Sequence, residues 1–256
     1  MRELEREPLP SPPSAAPLVV VGRGRAGRSL ARAAEQAGIE IRLAGRDDAP
    51  EAVRGAGAAL LCVPDAAIPE ACAAIASAGL PLVGHVSGAT TLQALATATE
   101  NGADAFSVHP LQTFADGETA VEGTPCAVAG SSEAALAYAN SLAGALGMRP
   151  FEVPEENRAA YHAAASVASN LLVALEESAA VLLERAGVDD ARELLAPLVL
   201  RTAANWAERG PEALTGPIAR GDRVTIERHR AALTELAPEL LPIYDALAAR
   251  AERVPA

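Results

Sequence analysis

The sequence predicts two architectures in succession: an α/β domain built on a doubly wound parallel sheet, then an all-α domain. Three observations carry this. Short β-branched or apolar runs alternate with helical stretches as far as about residue 153, as parallel strands joined by crossover helices do. Beyond that point the pattern is helical almost throughout. Half of the residues are hydrophobic, many of them alanine, which favours helices that pack closely through small side chains.

The elements follow in order. Residues 1–16 are charged, then proline-rich, without an apolar core for export, and read as a disordered leader. In PLVVVG, residues 18–21 suit a buried parallel strand. Gly22-Arg23-Gly24-Arg25-Ala26-Gly27 opens a helix to about Ala37, which Gly38 stops. IEIRLAG reads as the second strand and AALLCVP, 58–64, as the third. A helix from Pro69 to Ala78 precedes a fourth strand in PLVGHVSG, and residues 90–99 read as helical. ADAFSVHP holds a fifth strand and CAVAG, 126–130, a sixth, followed by a helix from Ser132 to Leu146. NRAAYHAAASVASNLLVALEESAAVLLERAG should form one helix of about eight turns. Gly187 closes it, and Asp189 caps a helix that runs to about Arg209. GPEALTGPIARGD reads as a loop, and two helices divided near Pro238 or Pro242 complete the chain. The expected domains are therefore 17–153 and 154–256.

Composition narrows the function classes. A formal charge of −12, from 33 acids against 21 bases, argues against a nucleic-acid or anionic-membrane binder. Every base is arginine, and no lysine occurs. Cys62, Cys72 and Cys126 have no metal-ligand spacing and suit buried positions in a reducing cytosol. The four histidines lie at no ligand spacing with acids, so no metal is expected. No apolar stretch reaches the roughly 18 residues of a membrane span. A cytoplasmic protein is expected.

The chemistry begins at the glycine loop. In G-x-G-x-x-G the first glycine makes a tight turn after the strand, the second lets a pyrophosphate approach the backbone, and the third lets helix pack on sheet. N–H groups at the helix N-terminus then bind the phosphates. Gly22, Gly24 and Gly27, with Arg25 and Ala26 between them, follow VVV and precede a helix, the context of a Rossmann-like dinucleotide site. NAD enzymes usually place an acid after the second strand. Here Arg46 stands there, with a guanidinium suited to a 2′-phosphate, so the cofactor expected is NADP(H). In the alternative, Arg46 is solvated and Asp47 turns inward for NAD.

Ligands of open α/β sheets bind beyond the carboxyl ends of the strands. Three polar groups stand at such ends: Val63-Pro64-Asp65, His85-Val86-Ser87-Gly88, and His109-Pro110-Leu111-Gln112-Thr113-Phe114. Val63, Pro64 and Ser87 are expected beside the nicotinamide. Pro110 holds His109 extended and can aim its imidazole. A histidine can carry the proton that accompanies hydride transfer, because its pKa lies near working pH. As general acid for reduction, His109 would make kcat fall as pH rises through that pKa. The alternative for His109 is a structural hydrogen bond to backbone, and His85 is read as supporting its loop.

VGRGRAG, LLCVPD, HVSGA, SVHPLQTF, YHAAASVASN and LTGPIARGD, in this order and spacing, resemble a bacterial family. It pairs a Rossmann-like domain with a helical C-terminal domain of formerly unknown function, the DUF2520 type. HPLQTF and TGPIARGD are the most specific pieces, and the resemblance covers nearly everything after the leader. The family looks like a branch of the 6-phosphogluconate dehydrogenase-like superfamily, related to pyrroline-5-carboxylate reductase, prephenate dehydrogenase and ketopantoate reductase. Some members are thought to act as an alternative ketopantoate reductase in pantothenate synthesis. The resemblance thus implies an NADPH-dependent oxidoreductase of a small 2-oxo acid, and a homodimer formed through the helical domain.

The same resemblance implies roles. His109-Pro110 looks like the catalytic His-Pro motif of prephenate dehydrogenases. The Lys-x-x-x-Asn of hydroxyacid dehydrogenases and ketopantoate reductases is matched by Ser166 and Asn170, so the asparagine is present and the lysine is not. Either a histidine supplies the proton or the reaction differs. His162, one helical turn before Ser166 on the same face, is the second candidate. Ser166, Asn170 and Arg220 are the expected substrate-binding residues, Arg220 through bidentate pairing with a carboxylate. Alternatively, Arg220 and Asp222 cap the helix that follows. Two other functions stay open: a reductase or dehydrogenase of an imine or cyclohexadienyl compound, and a non-catalytic NADP(H)-binding sensor.

Overall fold

The computed structural model describes residues 16–254. The expected leader lies outside the described residues apart from Ala16. By their contacts, the residues form two compact units that part between Ser166 and Val167. The strand–helix alternation ends near the expected boundary at 153, but the helix that follows packs with the first unit.

The first unit holds a seven-stranded sheet in the order β2-β1-β3-β4-β5-β6-β7. The strands are β1 (Leu18–Val21), β2 (Ile41–Ala44), β3 (Ala58–Leu61), β4 (Leu82–His85), β5 (Asp104–Pro110), β6 (Pro125–Gly130) and β7 (Arg149–Glu152). β1 to β5 are parallel. β6 turns back antiparallel to β5, and β7 runs parallel to β6. The helices are α1 (Arg25–Gln36), α2 (Ala49–Ala52), α3 (Ile68–Ile75), α4 (Ala96–Glu100), α5 (Glu133–Ala145) and α6 (Arg158–Ala168).

Alternation with a period of two builds the core. Leu18 of β1 and Ala58 and Leu60 of β3 join a cluster with Leu30 of α1 and Leu142 of α5. Their neighbours Val19, Val21, Ala59 and Leu61 join a cluster on the other face with Val53, Ile68, Cys72 and Leu95. The two central strands are buried at every residue, as strands covered by helices on both faces must be. In-register pairing aligns Val21 with Leu61, Leu61 with His85, and His85 with Ser107. The carboxyl ends of four strands therefore form one row.

Two departures from the expected sheet have physical reasons. Residues 111–124 contain no crossover helix, so β6 can only return antiparallel. β7, RPFE, is an edge strand whose residues are exposed or half-exposed and carries no apolar run.

The second unit contains α7 (Asn170–Arg185), α8 (Ala191–Arg209), α9 (Gly216–Ala219), α10 (Arg223–Leu236) and α11 (Leu241–Ala251). The single helix expected across residues 157–187 is interrupted at Ser169, where φ is −129° and ψ −78°. Serine bonds locally in competition with the helix backbone, and the Ser169 hydroxyl donates to Asn170 Oδ1 at 3.2 Å. The residue at the α8 N-terminus is Asp190, not Asp189; its φ is 58° and its side chain makes no capping bond. Asp222 does cap α10, accepting from Thr225 N–H at 3.1 Å. The presumed loop before it contains α9.

The run Glu155–Arg185 corrects one expectation. By length and composition it could cross a membrane: its most apolar 18-residue stretch has mean hydropathy 1.4, and only 6% of that stretch is buried. No single uninterrupted apolar segment signals this; alanines and leucines spread among few charges raise the average.

Candidate active site

Backbone shape dictates the glycine loop between β1 and α1. Gly22 has φ of +128°, and a β-carbon there would lie 2.2 Å from the Cys62 carbonyl oxygen. A β-carbon at Gly27 would lie 1.9 Å from the Gly22 oxygen. Both glycines are required by close approach within the protein. Gly24 differs: a β-carbon there would meet nothing within 4 Å. The N-terminus of α1 has no capping side chain and no acid in its first turn. This arrangement fits a phosphate group approaching the backbone.

Beside the loop lies a cavity of about 320 Å³ whose walls include Gly22, Arg23, Gly24, Arg46, Val63, Pro64 and Glu70. Its two arginines face carboxylates. Arg46 lies 3.6 Å from Glu70, and Arg23 2.5 Å from Asp48. Asp48 also accepts from Gly45 N–H at 2.8 Å. That bond, aided by Arg23, holds its carboxyl below the usual range. Asp47, the residue considered for NAD, is exposed. Arg25 reaches across to the Ala115 carbonyl at 3.5 Å, so the loop after β5 lies along α1.

The strand-end row continues to a polar cluster. His85 is fully buried. Its Nδ1 accepts from Ser87 N–H at 3.2 Å, which leaves Nε2 as the donor to the Thr91 carbonyl at 3.3 Å. Burial, then Arg158, lowers its pKa to about 4. His85 therefore supports its loop, as its position in the sequence implied. Ser87 is inside the same network: its hydroxyl accepts from Thr90 N–H at 2.9 Å and its carbonyl from Arg158 at 2.8 Å.

Arg158 is 1% exposed. It donates to Ser107 Oγ at 3.0 Å and to Glu155 at 3.2 Å, while Nε has no partner. A buried guanidinium needs such bonds to offset several kcal/mol of lost hydration. His109 lies beyond Ser107 on β5. Its Nδ1 is 2.7 Å from the Tyr161 hydroxyl, and its ring meets those of Tyr161 and His162 edge-on, at centroid distances of 5.5 and 5.9 Å. A β-carbon at Gly88 would lie 2.7 Å from His109 Nε2 and from His162 Cδ2. The missing side chain thus lets both rings settle on the turn after β4.

These surroundings change the role expected of His109. Burial first, then His162 and Arg158, lowers its pKa to about 4. The ring is neutral at working pH and is no imidazolium acid. It can donate one N–H and accept at the other nitrogen.

The structure thus gathers Gly22, Gly24, Arg25, Ala26, Gly27, Arg46, Val63 and Pro64 around the loop and cavity, and Ser87, His109 and His162 around the polar cluster. Ser166 is half-buried on α6. In the second unit, Asn170 is exposed at the start of α7 and Arg220 is exposed at the end of α9. Arg220 caps nothing in α10; Asp222 does. Sequence reasoning missed Arg158, Tyr161, Ser107 and Gly88. A signal existed for two of them: Arg158, Tyr161 and His162 stand at i, i+3 and i+4, one face of a helix.

Fold and site together define a class: a wound α/β unit with a glycine-rich turn after β1, followed by an all-helical unit. The family described as Domain of unknown function (DUF2520) matches residues 124–251, half of the chain, and the chain belongs to it. No curated protein matches the sequence. Solved structures share the fold over almost the whole chain. A Bacteroides fragilis protein provisionally named an NADP oxidoreductase is 23% identical, with TM-score 0.75, covering 93% of this chain and 98% of its own. Protein TM1727 from Thermotoga maritima is 24% identical, with TM-score 0.74 and coverage of 93% and 97%. A reductive aminase from Aspergillus terreus, in complex with NADPH and ethyl-5-oxohexanoate, is 18% identical, with TM-score 0.68 and coverage of 94% of each chain.

Proposed function

We propose that the protein is an NADPH-dependent reductase of a small carbonyl or imine compound. The observation that carries this is the row of parallel strand ends running from the glycine loop to His109. Three strand spacings of about 4.8 Å separate β1 from β5 in that row, roughly 14 Å in all. That separation suits an extended dinucleotide with its phosphates at one end and its reactive ring towards the other.

In this reading the backbone of Gly22, Gly24, Arg25, Ala26 and Gly27 holds the pyrophosphate, and Arg46 the 2′-phosphate. Val63, Pro64 and the turn at Ser87 border the nicotinamide. Reduced nicotinamide, when bound, supplies a hydride. His109, with His162 beside it, donates a hydrogen bond to the substrate atom on which charge develops. Ser166, one turn beyond His162 on α6, binds another part of the substrate.

The substrate proposed first is a small 2-oxo acid, 2-dehydropantoate reduced to pantoate, on the family resemblance. NADPH oxidation with 2-dehydropantoate, and rescue of a pantothenate-requiring strain that lacks its own ketopantoate reductase, test it. Failure of both removes this substrate. A specific observation favours imines as a second reading. With no lysine in the chain and a neutral His109, a protonated imine already carries the charge that a ketone must be given. NADP(H) binding without turnover of either class would make the protein a sensor instead.

We also propose a cytoplasmic homodimer formed through the helical unit. Leu171, Val173, Leu194, Leu198, Leu200 and Trp206 are exposed there, and large apolar side chains exposed together mark an interaction surface.

A further inference from the structure

The reductase reading needs a proton as well as a hydride, and the chain has no lysine to give it. The Tyr161 hydroxyl and His109 Nδ1 are 2.7 Å apart. One proton lies between them, and it can belong to either. If His109 carried it on Nδ1, the half-buried Tyr161 hydroxyl would have to turn its own proton away from the ring to solvent. Among the described residues Tyr161 has no second side-chain hydrogen bond. If Tyr161 donates instead, both groups are satisfied, and the imidazole keeps its remaining proton on Nε2. That nitrogen has no hydrogen-bond partner among the described residues; it lies against Gly88, where no side chain stands in front of it, with the His162 ring alongside.

We propose that Tyr161 is the positioning and relay partner of His109: it holds the ring as the Nε2–H tautomer and refills it when Nε2–H is given to substrate. The proposal rests on the reductase reading. In carbonyl reduction the C=O π bond opens as carbon receives hydride from the reduced nicotinamide nucleotide, and the oxygen takes the Nε2 proton. Nδ1 takes the Tyr161 proton in the same event, so the ring is never charged. The tyrosinate left behind sits in the field of Arg158; it takes its proton back from Nδ1 as solvent reprotonates Nε2, which restores the Tyr161 hydroxyl and the Nε2–H tautomer. Overall, one hydride and one solvent proton are added across C=O.

The groups around His109 favour a neutral ring. Arg158, Tyr161 and His162 face it from α6, and His85 from β4. Only Asp65, after β3, pulls towards the charged form. Tyr161 is itself held protonated, its pKa raised by burial to about 12, with Arg158 opposing that shift.

Nitrogen-15 NMR of histidine-labelled full-length protein tests this directly, with the His109 signals identified by their loss in His109→Gln. Wild type should show His109 as neutral Nε2–H between pH 5.5 and 8. Tyr161→Phe should show a mixture of the two neutral tautomers. Its kcat should fall tenfold or more, while the KM for NADPH stays within about twofold. A proton on Nδ1 in wild type overturns the proposal, as does an unchanged single tautomer in the variant. Should Tyr161→Phe not fold, the wild-type tautomer alone decides. The stated tautomers without any NADPH oxidation would count against the reductase reading and leave the Tyr161–His109 assignment supported.

Discussion

At the scale of single residues, charge decides most of what happens. Arg46 faces Glu70 and Arg23 faces Asp48, so the 2′-phosphate proposed for Arg46 would compete with the Glu70 carboxylate. Arg46→Ala should lower NADPH affinity about tenfold or more and leave NADH affinity nearly unchanged, by calorimetry, as expected for loss of a charge-assisted pair. An unaltered ratio of the two affinities would refute the assignment of Arg46.

His85 and His109 give a pH dependence whose sign is fixed. Both have folded pKa values of about 4, below the ordinary histidine value of 6.5. Between those limits the unfolded chain binds more protons than the folded one. Their contribution is complete above about pH 6.5 and is lost as pH falls towards 4. Urea unfolding at pH 7.5 and pH 4.5 should differ by roughly 2–3 kcal/mol for each histidine, by the usual 1.36 kcal/mol per pKa unit. His85→Asn should remove part of that difference.

At the scale of elements, the glycine loop separates folding from binding. Gly22→Ala places a β-carbon 2.2 Å from a backbone oxygen at positive φ and should cost roughly 2–4 kcal/mol of stability. Gly24→Leu meets open space at a backbone angle open to any residue. It should leave Tm within a few degrees and abolish NADPH binding. Equal loss of stability in the two variants would contradict the proposed cradle.

This contrast explains what could be read in the sequence. Where pattern and turn chemistry act locally, the strands, the loop and most helix ends were legible. β7 was not, because an edge strand needs little apolar surface. The break at Ser169 was not, because helical periodicity continues through it. Tyr161 stood within a motif and Arg158 within the expected helix, but their significance depends on Ser107, Ser87 and His109, between 51 and 71 residues away in sequence. The neutral state of His109 follows from those contacts and could not be inferred from its His-Pro context.

At the scale of the whole molecule, the helical unit buries little of itself. Trp206 is 67% exposed and Leu200 71%. If a second copy covers this face, sedimentation at micromolar concentration should show a dimer without detergent, and Leu198→Glu with Leu200→Glu should shift it to monomer. A stable wild-type monomer would contradict the dimer.

If the protein is a reductase, the glycine loop and His109 must serve one reaction. Single-turnover oxidation of bound NADPH, with a panel of 2-oxo acids and cyclic imines, tests that claim in wild type and His109→Asn. We predict the same NADPH affinity in both and about a 100-fold slower hydride transfer in the variant. Equal rates in the two proteins would contradict it.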